Sequence, residues 1–140
     1  MHKKIKYLFI IPAIAAGIVI LLWQLPTYFL RDTEPEEIAS IHIFNGNSGN
    51  EFEVTDTEDI AFITEHIRQS AFKKDRCSLM YSGFLYRMHF VHADGQKIQS
   101  FIVNSDDTIR KDPFFYTCDG NMGVVAYLEH LENERFPHEK

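Results

Sequence analysis

The sequence is short of positive charge. It carries 14 Lys and Arg against 20 Asp and Glu, a net charge of −6. Only Lys3, Lys4 and Lys6 precede the first apolar run, and every acid follows it. Phosphate binding needs clustered cations, so nucleic acid is excluded as a partner. Cysteine is scarce: Cys77 and Cys118 are the only two. None precedes Cys77, which excludes a lipid-modified N-terminal cysteine. The sequence also lacks a GxSxG motif, a Gly-rich phosphate loop opening a helix, an internal repeat and a low-complexity tract. Gly46 and Gly49 sit in GNSGN, between two strand patterns rather than before a helix.

A long apolar run is present. LFIIPAIAAGIVILLW, Leu8 to Trp23, has no polar side chain. Continued to Leu30 as a helix, it reaches about 34 Å, enough for a hydrocarbon core of about 30 Å. Trp23, Tyr28 and Tyr7 lie where interfacial aromatics belong. Ala13-Ile14-Ala15 has the small-x-small look of a signal-peptide cleavage site, but strongly apolar residues continue after it. Residues 7–30 are therefore expected to form a transmembrane helix in contact with membrane lipid. The three lysines before the run, and Arg31, Asp32, Glu34, Glu36 and Glu37 after it, orient the chain by the positive-inside rule. This predicts a cytoplasmic tail at 1–6, an acidic linker at 31–38 and an extracytoplasmic domain at 39–140. The location expected is the cell membrane, single-pass, with the N-terminus cytoplasmic and the domain outside.

Within that domain, Ala39–Asn45 and Glu51–Val54 alternate as a hairpin around GNSGN. Thr55-Asp56-Thr57-Glu58 matches a capping box, and Ile60, Ile63, Ile67 and Phe72 follow at helical spacing. KKDRCSLMYS reads as a loop. Gly83–His92 and Gln96–Asn104 are strands around the Asp94-Gly95 turn. Thr108–Arg110 and Phe114–Cys118 are short strands around Asp112-Pro113, read as a type I turn. A last helix runs from Gly123 to about Glu134, capped by Asp119 or Asn121. The predicted class is α+β: one antiparallel sheet, order ββαββββα, covered by two helices.

The stretch from Tyr81 to Cys118 places Tyr and Gly before an aromatic-rich strand. A DG turn follows, then a strand ending FIVNSDD, then an aromatic strand before the last helix. In this order it resembles small extracytoplasmic domains found behind a lipid or membrane anchor in Gram-positive bacteria. The resemblance implies a fold and a location and carries no activity and no site residues.

Direct signals of chemistry are sparse. His89 and His92 are three apart on a strand and point to opposite faces, so they do not share a metal. His130 and Glu134 share a helix face without a third ligand. Asn104-Ser105-Asp106-Asp107 lacks the later Gly and Glu of a calcium loop. No catalytic, cofactor or metal residue is assigned, and no cofactor is expected. A disulfide between Cys77 and Cys118 is expected, because the turn at Asp112-Pro113 sends Phe114–Cys118 back towards the end of the first domain helix. Aromatics make up 14% of the chain. Tyr81, Tyr86, Phe115 and Tyr116 are expected to form a strip on the second face of the sheet, able to grip a partner. The function read from these features is a binding domain for a protein or envelope component. The alternative is an envelope enzyme with a carboxylate or His site, which would bring two or more of His42, His89 and His92 together with nearby acids in a deep cleft.

Overall fold

Apolar alternation builds the first hairpin, β1 (Ile38–Asn45) and β2 (Glu51–Val54), with Ile41, Ile43, Phe52 and Val54 turned inward. The computed structural model describes the backbone of residues 2–137 and the side chains of residues 9–137. In chain order it holds α1 (His2–Gln24), a 3-10 turn (Pro35–Glu37), β1, β2, α2 (Thr57–Arg68), β3 (Phe72–Cys77), β4 (Tyr86–His92), β5 (Lys97–Ser105), β6 (Thr108–Lys111), β7 (Phe114–Cys118) and α3 (Val124–Arg135). The strands form one seven-stranded antiparallel sheet in the order β2-β1-β4-β5-β6-β7-β3.

One face of the sheet carries the core. Across the register, Asn45, Tyr86, Val103, Ile109 and Tyr116 form one row and Ile43, Met88 and Phe101 the next. Ile60, Ile63 and Ile67 of α2 and Val124, Leu128 and Leu131 of α3 join the same buried cluster. Asp56 caps α2, its carboxylate accepting the Glu58 and Asp59 amides, so the cap comes one residue after the expected Thr55. The last helix has no side-chain cap of its own. Asp106, from the acidic loop considered for calcium, accepts the Val125 amide at 2.8 Å instead. Gly123, at φ 69°, turns the chain into that helix, a conformation glycine adopts at little cost.

The expected transmembrane helix at 7–30 is not formed. Among the described residues, no helix is long and apolar enough to cross a membrane. α1 ends at Gln24. Its described side chains, residues 9–24, span about 24 Å at about 1.5 Å per residue. The rest of the apolar run belongs to the domain. Thr27 pairs with Phe72 through two backbone hydrogen bonds of 2.7 and 2.9 Å. Phe29 and Leu30 are 1% and 3% exposed, and Phe29 packs on Phe72, Phe101 and Tyr116. The single-pass membrane location read from that span is overturned by the same finding. The side chains of the tail expected at 1–6 lie outside the described residues. The apolar side chains of α1 from Phe9 to Leu22 are exposed. At its end Trp23 meets Phe114 edge-on at 5.0 Å, with Lys74 Nζ 5.6 Å from both rings.

The region expected as an acidic linker, 31–38, is folded onto the body. Pro35 is buried, and Arg68 donates to both carboxylate oxygens of Glu34 at 2.6 and 2.9 Å. The expected order ββαββββα also misses a strand. α2 stops at Arg68, and FKKDRC forms β3 on the sheet edge beside β7. That strand removes the expected disulfide. Phe72 lies opposite Cys118 and Cys77 lies opposite Phe114, so the two cysteines sit at opposite ends of one strand pair. Five strand steps separate them by roughly 16 Å, where a bridge needs Cα atoms within about 7 Å. Both cysteines are free. Between β6 and β7 the Asp112–Pro113 peptide is cis, in place of the expected type I turn.

Candidate functional site

Two places concentrate chemistry. The first is a cleft of about 260 Å³ between the GNSGN turn and α3, lined by Asn45, Asn47, Ser48, Asn50, Tyr86, Glu129 and Glu132 among others. Its centre is the buried carboxylate of Glu132. Oε1 accepts from Ser48 Oγ at 2.6 Å and Asn50 Nδ2 at 2.8 Å, and Oε2 accepts from Asn45 Nδ2 at 2.7 Å and Tyr86 OH at 2.9 Å. Burial alone would raise this carboxyl, but the four hydrogen bonds outweigh it and hold Glu132 below its ordinary value. A general acid needs the opposite shift. With its acceptor sites filled, Glu132 holds the hairpin turn against the last helix.

The second place is the outer face of the sheet, opposite the core. Side chains alternate along each strand, so one register row places Glu51, Phe44, Arg87, Ile102, Arg110 and Phe115 side by side across six strands. Aromatic rings support the cations in and beside this row. The Arg87 guanidinium lies 4.4 Å from the Phe84 ring centre, Arg110 lies 5.7 Å from that of Tyr81, and Arg76 lies 4.5 Å from that of Phe115. Tyr81 meets Phe115 edge-on at 5.1 Å. Gly46 permits this packing at one end: a Cβ there would meet the carbonyl and ring of Phe84. At the other end, Ser78 and Arg110 both donate to Asp112, at 2.5 and 2.8 Å, and fix the Ser78–Tyr81 turn. Leu79 is exposed and Met80 fully so at the tip of that turn, with Met80 at φ 69°.

Of the four aromatics expected on one strip, Tyr81 and Phe115 do meet on this face. Tyr81 is 51% exposed and Phe115 is buried beneath it and Arg76. Tyr86 and Tyr116 point to the core, because each lies an odd number of positions from its outer-face neighbour, Arg87 or Phe115. The sequence reading missed the cations. Arg87 and Arg110 fall at outward positions of their strands, and that periodicity was the available signal; Arg76 faces outward only past the register shift between Lys74 and Cys77.

The histidines divide. His42 and His89 face each other across β1 and β4 and line a shallow depression of about 170 Å³ with Phe44, Glu51 and Arg87. His42 Nε2 is 3.3 Å from Glu53. Burial, with Lys97 and Arg87 adding to it, pushes the His89 imidazole below its ordinary value. His92 is separate and pairs with Asp94 at 3.2 Å. Among the described residues, no three His, Cys, Asp or Glu are grouped to hold a metal ion.

No protein-family model, curated protein or solved structure matches this chain.

Proposed function

We propose that this chain is a binding domain whose outer sheet face grips a protein partner. The observation that carries the reading is the arginine–aromatic row. Arg87, Arg110 and Arg76 each rest on an aromatic ring, on a face that the helices leave uncovered. Aromatic and arginine side chains concentrate binding energy because they bring large contact area and directed charge to rigid positions. Strands rather than loops hold most of this set, so it is preorganised. The buried carboxylate in the other cleft is occupied by structural hydrogen bonds.

A photo-crosslinking residue at Ile102 tests the reading in cells expressing the full chain. It should capture a partner that the same residue at Glu129, on α3, does not. Tyr81→Ala should weaken that capture. Equal capture from both positions, or none from Ile102, would refute the proposal.

A further inference from the structure

We infer that the depression between Arg87 and Lys111 is a carboxylate-binding site and that the partner segment it receives is an acidic peptide. The inference rests on the outer face being the binding surface.

The depression, about 160 Å³, is lined by Arg87, Ser100, Ile102, Arg110, Lys111 and Asp112 among others. Three cations thus meet one carboxylate. Asp112 is already engaged by Arg110 through two hydrogen bonds and by Ser78. Among the described residues, neither Arg87 nor Lys111 has a carboxylate within ion-pair distance. This local excess of positive charge sits on a chain whose net charge is −6. A second negative group would balance the cations that Asp112 leaves unpaired.

The geometry favours a carboxylate on a peptide over a small free anion. Arg87 and Arg110 stand on β4 and β6 with Ile102 of β5 between them, so their backbones are roughly 9.6 Å apart. With Arg110 held by Asp112, the unengaged charges belong to Arg87 and Lys111 at the rim of an open surface. The Arg87 guanidinium lies 4.4 Å from the Phe84 ring centre, and a guanidinium suits a planar, bidentate acceptor. Ser100 adds a hydroxyl beside it. Ile102 supplies an apolar floor, and Tyr81 is exposed nearby, so a peptide gains apolar contact that a bare ion does not.

The probes are a fluorescent decapeptide of alternating Glu and Tyr, its Gln–Tyr counterpart, and inorganic phosphate. Each is titrated against the full chain dispersed in a non-ionic detergent. The Glu–Tyr peptide should bind saturably and weaken as salt rises. Arg87→Glu should cut its affinity by about tenfold or more, and Glu129→Lys on α3 should leave it unchanged. Arg87 is exposed, and an unchanged circular dichroism spectrum would show that the variant is folded. Equal binding of the Gln–Tyr peptide, or indifference to Arg87→Glu, would overturn the inference. Displacement by phosphate at equal concentration would overturn it in favour of a free-anion site. If crosslinking at Ile102 captures a partner whose binding ignores Arg87→Glu, this inference fails while the binding-face reading stands.

Discussion

The hydroxyl of Tyr86, on a central strand, donates to the carboxylate of Glu132, on the last helix, across 2.9 Å. The same carboxylate collects Asn45, Ser48 and Asn50 from the first hairpin, so one side chain joins three parts of the fold. Glu132→Ala would leave the buried Asn45 amide and Tyr86 hydroxyl without their acceptor. The expected loss is about 3 kcal/mol or more, measured by urea denaturation, with the midpoint lowered and the slope unchanged.

The same group makes stability depend on pH with a definite sign. Because the folded carboxyl titrates below its ordinary value of 4.5, its ionised form adds stability that is complete above that value. The contribution is lost as pH falls through the lower, folded value. The stability gap between the native chain and Glu132→Gln should stay constant from about pH 6 to 8 and narrow below about pH 4.5. A gap that widened in acid would contradict the hydrogen-bonded carboxylate.

Phe29 tests where the folded body begins. Phe29→Ala should cost about 3–5 kcal/mol, because a fully buried ring leaves a cavity against Phe72, Phe101 and Tyr116. A chain starting at Leu25 keeps the Thr27–Phe72 pairing and should unfold at nearly the native denaturant concentration. One starting at Arg31 should be strongly destabilised.

The thiols give a direct check on β3. Both should react with a thiol reagent without prior reduction. Cys77 is exposed and should react first. At Cys118 burial, followed by the nearby charge of Asp107, pushes the thiol up and should slow its reaction. Unreactive thiols that appear only after reduction would show that β3 is misplaced.

Asp106 supplies the cap that the last helix lacks. Asp106→Ala should lower stability by about 1 kcal/mol through the unsatisfied Val125 amide. Thermal melting would detect it, and Asn121→Ala should have a smaller effect.

Much of this fold is legible where apolar residues alternate or repeat. β1, β2, β4, β5 and the buried stripes of α2 and α3 lie where Ile41, Val54, Met88, Ile63 and Leu128 place them. β3 is not legible, because an edge strand has one neighbour and little burial, and FKKDRC therefore carries almost no apolar pattern. The Thr27–Leu30 segment is hidden for the opposite reason. Phe29 and Leu30 continue the apolar run of α1, and composition does not separate a residue exposed on a helix from one buried in a core. At the outer face, alternation assigns Phe115 and Arg87 to one side and Tyr86 and Tyr116 to the other. Treating the aromatics as one strip overrode that rule.

Phe114 and Phe115 are adjacent on β7 and point to opposite sides of the sheet. Trp23 of α1 leans on the first, and Arg76 and Tyr81 cover the second. The end of α1 and the cover of the outer face thus bear on opposite sides of the same strand, one residue apart.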